Sequence, residues 1–308
     1  MAVGWGFLGA GRIAAHLAHV VSHAPRAALI RVGSADQDRA AALGAPGSYD
    51  DVLADPRVEV VYVALANHLH RPWTLRALAA GKHVLCEKPL GLSLAEATEL
   101  AAVADGRLVE ASFYRWHPRV RRAQAALAEI GPVEHVAGGF CFPGVPPTDY
   151  RMSAAYGGGA SLDVGCYPVS AALWAAGAVT AVSARSRMAG DVDLATSYRL
   201  EHVSGATSEL VGSMDDPARC WLVVTGAGGE IELRGHAFTG SAEVRPAGGG
   251  ASRRLDGGGD GYAAMVDAVS GWALGGDDWV LPLDDSLACA AVLDAAAVSA
   301  ASGSAIRL

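Results

Sequence analysis

A charged pair follows an apolar run in the first third of the chain. Glu87 and Lys88 come directly after the run His83–Cys86, and Pro89 follows them. The chain has 24 lysines and arginines, of which only Lys82 and Lys88 are lysines. A lysine at the end of a buried strand can donate to a substrate hydroxyl or carbonyl oxygen and stabilise negative charge there. We therefore predict that Lys88 is catalytic rather than a solvated surface lysine, and that Pro89 fixes the turn with a cis Lys88–Pro89 bond.

Glycines followed by an aspartate and a tyrosine form a second unusual stretch, YGGGASLDVGCYPVSAALW, at residues 156–174. Asp163 and Tyr167 are four residues apart near the predicted start of a helix, so they can face the same way. Pro168 is tolerated in a first helical turn. A phenol beside an ammonium has its ionised form favoured, which suits a group that exchanges a proton with a carbinol oxygen. Without other evidence, a helix cap is the commoner explanation for Asp163 and a packing role for Tyr167.

A glycine loop follows the first apolar run. Residues 9–14 have the pattern G-x-G-x-x-A between a predicted strand and a predicted helix. The first glycine permits a tight turn, the second lets the backbone approach a pyrophosphate, and the helix N-terminus attracts the phosphates. We therefore predict a dinucleotide site that includes Gly9, Gly11, Arg12 and Ile13.

The residue that binds the cofactor ribose is expected about 20 residues further on, after the second strand. Ser34 stands there, where an NAD-selective site usually carries a carboxylate. A hydroxyl can donate to a 2′-phosphate, and Arg39 is within plausible reach, so the pattern favours NADP, with NAD as the alternative. Asp36 either contributes to this site or caps the next helix.

Other notable residues also lie where predicted strands end. In chain order these are Gly9, Gly11, Ser34, Asn67, His70, Glu87 and Lys88. In an open α/β sheet, ligands bind beyond the carboxyl ends of the strands. We therefore assign Asn67, His70 and Glu87 to the cofactor site, with a helix-cap or surface histidine as the alternative for His70.

Strand and helix patterns predict two domains. Apolar runs at 3–8, 28–33, 58–65 and 83–86 alternate with helical spacing at 13–22, 38–43 and 72–80. This alternation predicts a Rossmann domain with a doubly wound parallel sheet over residues 1–118. After Pro118, strand-like runs separated by glycine or aspartate turns predict an α+β domain with a mainly antiparallel sheet over residues 119–308. Its predicted strands are 133–142, 179–188, 197–203, 207–213, 221–225 and 230–233, and its helices 163–176, 262–274 and 286–301.

Composition argues against several classes of partner. The net charge of −8 disfavours nucleic acid. The N-terminus lacks a signal pattern, and the apolar tract near the C-terminus is broken by Asp294 and serines, as in a core helix. Five scattered cysteines indicate thiols in a reducing compartment. His16, His19 and His23 share a helical face without a carboxylate or cysteine. We expect a cytoplasmic protein without a metal, membrane or nucleic-acid partner.

Taken together, the motifs resemble the Gfo/Idh/MocA oxidoreductase family over nearly the whole chain. The matching features are the glycine loop, NHLH (67–70), AGKHVLCEKPL (80–90), YRWHP (114–118), GGGASLDVGCYPV (157–169) and PLDDSLACAAVLDA (282–295). The resemblance implies a Rossmann domain followed by an open-faced, mainly antiparallel sheet through which members often dimerise. It also implies that Lys88 is the catalytic lysine, Glu87 its partner near the nicotinamide and Asp163 the aspartate of the second motif.

Tyr167 stands where many family members carry histidine. This is similar to the branch of dimeric dihydrodiol dehydrogenase, NADP-linked xylose dehydrogenase and glucose–fructose oxidoreductase, which implies that Tyr167 is the general acid/base. Polar positions around the family's cleft match Arg115, His117 and Arg151, which we expect to bind substrate. Two residues depart from the pattern: Ala66 replaces the usual proline before NHLH, and Ala35 replaces an arginine frequent in NADP-binding relatives.

These features predict an NADP-preferring oxidoreductase that works as a homodimer or higher homo-oligomer. It would transfer hydride between the nicotinamide and a secondary alcohol or ketone of a sugar, cyclitol or carbocyclic diol. A ketoreductase of nucleotide-linked sugars is the alternative enzyme. A non-catalytic nucleotide-binding sensor is the alternative of another class, and it would have no need of Lys88, Asp163 and Tyr167.

Overall fold

The computed structural model describes residues 2–308 and divides the chain into two compact units. The first unit contains the residues up to Gly91 together with Ala95–Trp116 and Gly259–Leu283. The second contains Leu92–Leu94, His117–Gly258 and Asp284–Leu308.

Strands and helices alternate early in the chain, and strands dominate after residue 130. The strands are β1 (Val3–Leu8), β2 (Ala27–Gly33), β3 (Pro46–Gly47), β4 (Val60–Val63), β5 (His83–Cys86), β6 (Leu108–Glu110), β7 (Val133–Cys141), β8 (Val179–Ala189), β9 (Val192–His202), β10 (Thr207–Ser213), β11 (Arg219–Gly226), β12 (Gly229–Arg234), β13 (Ser241–Pro246), β14 (Arg253–Arg254) and β15 (Ile306–Arg307). The helices are α1 (Arg12–His23), α2 (Gln37–Ala42), α3 (Tyr49–Ala54), α4 (His70–Ala79), α5 (Leu94–Val103), α6 (Pro118–Ala125), α7 (Leu127–Ile130), α8 (Cys166–Ala176), α9 (Gly261–Ala273) and α10 (Leu283–Ser302).

Six parallel strands form the sheet of the first unit, in the order β3-β2-β1-β4-β5-β6. β1 and β4 are buried along their whole length, as expected of strands covered on both faces. The strand order changes direction between β1 and β4, which is where doubly wound sheets bind their ligands. The predicted Rossmann fold is confirmed.

A segment near the C-terminus also belongs to the first unit. Arg26 donates to Asp267 of α9 at 2.7 Å, and the indole of Trp5 in β1 donates to Ser270 Oγ at 3.1 Å. Both contacts fix α9 to elements of the parallel-sheet unit. The predicted division, with a single boundary before the antiparallel sheet, therefore differs from the structure for residues 259–283. Helical periodicity shows that a helix forms there but not which sheet it packs on.

Nine strands form the sheet of the second unit, in the order β14-β13-β12-β11-β7-β10-β9-β8-β15. Within the described sheet all neighbouring strands are antiparallel except β7 and β10, which confirms the mainly antiparallel sheet. α8 packs against β7 and β10. One face of the sheet is apolar and buried, and includes Val136, Leu200, Leu210 and Leu222. On the other face exposed charges occur, such as Arg199 beside Glu209.

α10 is long and apolar enough, by length and composition, to cross a membrane. In the structure it packs within the second unit. Ser299 Oγ accepts from Ala184 N of β8 at 3.0 Å, and Cys289 Sγ donates to the carbonyl oxygen of Cys166 at 3.6 Å. These are contacts of a core helix, the role that the sequence predicts.

Candidate active site

The glycine loop after β1 leaves open space beside the start of α1. Gly9 has φ 113°, and a Cβ there would overlap the carbonyl oxygen of Ala64. A Cβ on Gly11 would meet no atom of the described chain within 4 Å. α1 begins at Arg12 with no side-chain cap among residues 2–308, and the first N–H groups of a helix need partners and attract anions. The geometry therefore fits a dinucleotide pyrophosphate at this loop.

Ser34 lies just past β2, next to the cap of α2. Its Oγ accepts from Asp36 N at 3.1 Å. Asp36 Oδ1 in turn accepts from Arg39 N at 3.0 Å, and its other oxygen pairs with Arg39 Nε at 3.0 Å. Asp36 is therefore the helix cap that the sequence allowed as an alternative. Arg39 is exposed and paired with this carboxylate, so its contact with a 2′-phosphate stays a prediction.

Main-chain hydrogen bonds bring the strand ends of the first unit together. They run from Gly9 N to Gly33 O (2.8 Å), from Ala64 N to Leu8 O (2.9 Å) and from Glu87 N to Val63 O (3.0 Å). The residues that follow β1, β2, β4 and β5 therefore share one edge of the sheet. Lys88 leaves the sheet at this edge, and the Lys88–Pro89 bond is cis, as predicted.

A buried phenol that the sequence analysis did not identify holds the carboxyl group of Glu87. Tyr62, wholly buried in β4, donates to Glu87 Oε1 at 2.5 Å. The other carboxyl oxygen accepts from Lys88 N at 3.3 Å. Burial raises the pKa of Glu87, and the hydrogen bond from Tyr62 opposes that rise. Nothing in the sequence distinguished Tyr62 from the apolar residues around it, since tyrosine is common in half-apolar settings.

His70 is wholly buried, and each of its ring nitrogens lies within hydrogen-bond distance of a main-chain oxygen. The neutral ring has one N–H and donates to only one of these oxygens. Nδ1 lies 2.8 Å from the carbonyl oxygen of Pro89, and Nε2 lies 3.0 Å from that of Leu65. Burial lowers the pKa of His70 to about 4. Its ring lies between the loop after β4 and the turn after Lys88, and its contact with the cofactor stays a prediction. Asn67, buried in the turn before α4, keeps its predicted role as a proposal.

The other lysine of the chain, Lys82, has a structural role. Lys82 is buried at the start of β5, and its Nζ donates to the carbonyl oxygens of Asp55 (2.9 Å) and Val58 (2.7 Å). Burial lowers the pKa of this ammonium. Lys82 thus ties the entry of β4 to the entry of β5, at the edge of the sheet opposite to Lys88.

In the second unit Asp163 forms an ion pair with Arg151. Arg151 Nε lies 2.9 Å from Asp163 Oδ2, and Arg151 Nη1 lies 3.2 Å from Asp149 Oδ1. Asp163 is buried in the five-residue π-type turn Ser161–Gly165 that precedes α8. The structure therefore gives Asp163 an arginine partner within its own unit, and it brings together two of the predicted site residues.

Tyr167 lies in the first turn of α8 with only 7% of its surface exposed. Its ring packs edge-on against Phe140 of β7, with ring centroids 5.2 Å apart. Pro168 follows it in the same turn, as predicted. The packing role is thus present, and a role in proton transfer is a proposal beside it.

The remaining two predicted substrate residues are buried on either side of the unit boundary. Arg115 lies in the turn Phe113–Trp116 after β6 in the first unit. His117 precedes α6 in the second, where its Nδ1 accepts from Arg119 N at 3.1 Å and caps the helix. His117 is therefore engaged at one nitrogen by its own helix.

Tyr262, at the start of α9, is a further residue that sequence reasoning missed. Its ring stacks on Phe113 with centroids 4.0 Å apart and meets His16 of α1 edge-on at 4.7 Å. Burial first and Glu87 second raise the pKa of Tyr262, while Lys88 lowers it. Its hydroxyl thus belongs to the surroundings of the charged pair after β5. It was missed because α9 was assigned to the other domain.

Two family models match the chain. The NAD-binding Rossmann fold of an oxidoreductase family, GFO_IDH_MocA, matches residues 3–112. The GFO/IDH/MocA C-terminal domain matches residues 120–232. Together the two matches cover more than half of the 308 residues.

Similar proteins extend the match along most of the chain. D-Xylose 1-dehydrogenase (NADP(+)) 2 of Haloferax volcanii is 36% identical over 90% of this chain and 91% of its own length. Mouse trans-1,2-dihydrobenzene-1,2-diol dehydrogenase is 32% identical over 76% of this chain and 75% of its own. The crystal structure of KijD10, a 3-ketoreductase from Actinomadura kijaniata in complex with NADP and TDP-benzene, has a TM-score of 0.89 and 29% identity, and the match covers 97% of this chain and 98% of that one. The chain therefore belongs to the Gfo/Idh/MocA oxidoreductase family.

Proposed function

We propose that the protein is an NADP-preferring oxidoreductase that acts on a secondary alcohol or ketone of a sugar, cyclitol or carbocyclic diol. Relatives named for xylose and for a dihydrodiol support this substrate class. The dinucleotide, when bound, supplies or accepts the hydride. The groups of this chain bind and orient the substrate and move its proton.

One observation carries the proposal: the convergence of strand ends in the first unit. The main-chain bonds from Gly9, Ala64 and Glu87 to neighbouring strands put the open glycine loop and Lys88 on one edge of one sheet. This is the edge at which α/β sheets bind nucleotides. A basic side chain placed there is well situated to act on a substrate beside the nucleotide.

The proposed roles follow from the chemistry of each group. Lys88 donates a charge-assisted hydrogen bond to the substrate oxygen and stabilises negative charge on it. Tyr167 takes the proton of that oxygen in oxidation and returns it in reduction. Asp163 orients this pair or accepts from a substrate hydroxyl, with Arg151 as its partner. Glu87, held by Tyr62, accepts from the main chain of Lys88.

Substituting the two groups separately tests the proposal. Lys88→Ala should lower kcat about 10²–10³-fold, the effect of losing one donor to a developing oxyanion. Tyr167→Phe keeps the ring and removes the proton, and should lower kcat by about 10²–10⁴-fold. NADP affinity should stay parental in both, and the combined loss should be smaller than the product of the single losses. Tyr156→Phe, at an exposed tyrosine, is the matched control. Parental kcat in Tyr167→Phe would remove this residue from the mechanism.

The preference for NADP rests on Ser34, where a ribose-binding carboxylate is missing. Ser34→Asp places a negative charge that repels a 2′-phosphate and can accept from a 2′-hydroxyl, so the ratio of the two affinities should shift towards NAD by about tenfold or more. Titrations with both dinucleotides measure this. A parent protein that already binds NAD about tenfold more tightly would contradict the assignment.

A ketoreductase of nucleotide-linked sugars is the second candidate, favoured by the structural match to KijD10. Such an enzyme must also recognise a nucleoside diphosphate. Turnover of TDP-linked keto sugars, with TDP as a competitive inhibitor, would support this candidate over a free sugar or diol. Binding of dinucleotide without turnover of any carbonyl or alcohol would favour a sensor.

We also propose a homodimer or higher homo-oligomer, and a cytoplasmic location. The candidate interface is the sheet face that carries Arg199 and Glu209, since these side chains are exposed in the single chain. A reducing compartment is supported by the free thiols of all five cysteines. Light scattering at micromolar concentration tests the assembly, and a monomer would contradict it.

A further inference from the structure

The turn that carries Asp163 lacks a cap from its own residues. It is a π-type turn, Ser161–Gly165, and within the described chain Ala160 before it makes no side-chain cap. The first N–H groups of a helical segment must find acceptors elsewhere. Turns of this width are rare and occur frequently at functional sites. Groups outside the turn Ser161–Gly165 must therefore hold it in place.

Asp193 of β9 supplies the acceptor from the sheet below. Its Oδ2 accepts from Ser161 N at 2.9 Å, from Ser161 Oγ at 2.7 Å and from Thr196 Oγ1 at 2.7 Å. Tyr198, buried in the same strand, donates its phenol hydrogen to Ser161 Oγ at 2.8 Å. A carboxylate only accepts, so the hydroxyl hydrogens of Ser161 and Thr196 both point towards Asp193. The result is a directed chain from Tyr198 through Ser161 to Asp193.

Glycines allow the turn to lie close to the residues of this hydrogen-bonded chain. Gly159 has φ 106°, and a Cβ there would overlap the carboxylate of Asp193. A Cβ on Gly165 would overlap the hydroxyl of Tyr198, and one on Gly212 of β10 would overlap Gly165. The turn therefore contacts the main chain of β10 at Gly212 and the side chains of Asp193 and Tyr198 in β9, and it cannot shift towards either strand.

Hydrogen bonds connect this support to two residues of the proposed site. Gly159 N donates to the carbonyl oxygen of Arg151 at 2.9 Å, and Asp163 N donates to the carbonyl oxygen of Gly159 at 3.1 Å. A displacement of the segment next to Asp193 therefore displaces the ion pair between Arg151 and Asp163 as well.

We propose that Asp193, acting through Ser161, is a positioning residue for the oxidoreductase reaction, because it fixes the turn that holds Asp163 and leads into Tyr167. This inference rests on the proposed function. Asp193 need not touch the substrate, since its effect reaches the reaction through the geometry of the turn. Displacement of a reacting group by about 1 Å can cost on the order of 10²-fold in rate.

Three variants test the proposal on an identified substrate. Asp193→Ala should lower kcat on the order of 10²-fold while NADP affinity stays parental. Asp193→Asn keeps an oxygen that can accept from Ser161, and it should recover part of that loss. Ser208→Ala is the matched control. Ser208 is wholly buried at the start of β10, away from Gly212, and its Oγ lies 2.7 Å from His202 Nε2. It should lower stability and leave kcat parental.

A second background separates positioning from a general loss of folding. In Tyr167→Phe, Asp193→Ala should lower kcat much less than it does in the parent, because both substitutions act on one unit. Amide hydrogen exchange over residues 159–167 should rise in Asp193→Ala and not in Ser208→Ala. Equal kcat losses in both backgrounds, or equal losses in Asp193→Ala and Ser208→Ala, would overturn the inference.

Two further outcomes distinguish this inference from the proposed function. If Tyr167→Phe loses kcat while Asp193→Ala keeps parental kcat and parental exchange, the inference alone fails. If both variants keep parental kcat, Tyr167 is not part of the mechanism and the inference fails with it, whereas the proposed function fails only if the parent protein oxidises or reduces no alcohol or ketone.

Discussion

Each unit has a glycine-rich turn directly before a helical segment, and the two turns differ in what fills the space beside them. In the first unit, no atom between residues 2 and 308 lies within 4 Å of a Cβ placed on Gly11. In the second unit, a Cβ on Gly158 would overlap the carbonyl oxygen of Arg151, and one on Gly159 would overlap Asp193. Asp193 also accepts from the first N–H of the following turn.

The difference shows two uses of the same positive helix end. N-terminal N–H groups attract negative charge in both places. After Gly11 the space is left for an anion that comes from outside, whereas before Ser161 the protein supplies its own carboxylate. Glycine permits close packing in the second turn, and we propose that it serves ligand access in the first. The sequence pattern alone does not separate these two reasons.

The largest expected loss of stability comes from adding a side chain at Gly159 in the second turn. Gly159→Ala adds a methyl group that overlaps Asp193, at a φ of 106° that an L-residue rarely adopts. Backbone strain and overpacking together should lower the free energy of unfolding by about 3–4 kcal/mol. Urea unfolding measures this loss, and kcat of the folded fraction should fall as Asp163 moves.

Gly190→Ala separates the strain from the contact. Gly190 also has positive φ, at 62°, but a Cβ there would meet nothing within 4 Å in the described structure. We expect a loss of only about 1 kcal/mol. If Gly159→Ala and Gly190→Ala cost the same, the contact with Asp193 adds nothing, and the contrast between the two turns loses its basis.

The turn at Lys88 should respond to acid through His70. Its pKa of about 4 lies below the usual 6.5, so the unfolded chain binds more protons than the folded one between these values. The stabilising contribution of neutral His70 is fully present above pH 6.5. It is lost as pH falls towards 4, by up to about 3 kcal/mol. Urea unfolding across this range should show that loss in the parent.

His70→Gln supplies the control for this pH dependence. Glutamine has no titrating group, so the variant should lack this part of the slope, although it will be less stable than the parent near neutral pH. An identical pH dependence in the two proteins would show that His70 does not contribute it. The loss of stability in acid would then come from another titrating group.

Helices and strands could be predicted from the sequence where the apolar pattern is long or has sharp ends. β5 was predicted to the residue because an apolar run ends at Glu87. α3 was missed because its six residues carry two aspartates, and its start depends on a capping box between Ser48 and Asp51. β6 has three residues, too few for any periodicity. The placement of α9 in the first unit depends on contacts with β1 and Arg26 that no local pattern encodes.

The site residues, like the elements of the fold, could be predicted where a local sequence pattern marks them and not where they depend on distant contacts. Lys88, Glu87 and the glycine loop sit at strand ends, and strand ends can be predicted from sequence. Tyr62 acts on Glu87 from 25 residues away, and Asp193 acts on Ser161 from 32 residues away. Such partners are brought together by the register of neighbouring elements. For this reason the proposed chemical groups could be named from the sequence, whereas the residues that position them could not.

The smallest expected change in stability is a gain, and it comes from adding a side chain at Gly11 in the first turn. Gly11 has φ −78° and ψ −176°, a conformation that alanine adopts without strain. Gly11→Ala should therefore leave stability unchanged or raise it by about 0.4–1 kcal/mol, since the unfolded chain loses freedom. The new methyl group would occupy the space predicted for the pyrophosphate and should weaken NADP binding by about tenfold or more. Gly258→Ala, at an exposed glycine with nothing within 4 Å in the described chain, controls for the stability term alone. Calorimetric titration with NADP and urea unfolding of both variants provide the two readouts.

Parental NADP affinity in Gly11→Ala would mean that the nucleotide does not approach this side of the loop. Lost stability would mean that the protein itself needs the space, as it does at Gly159.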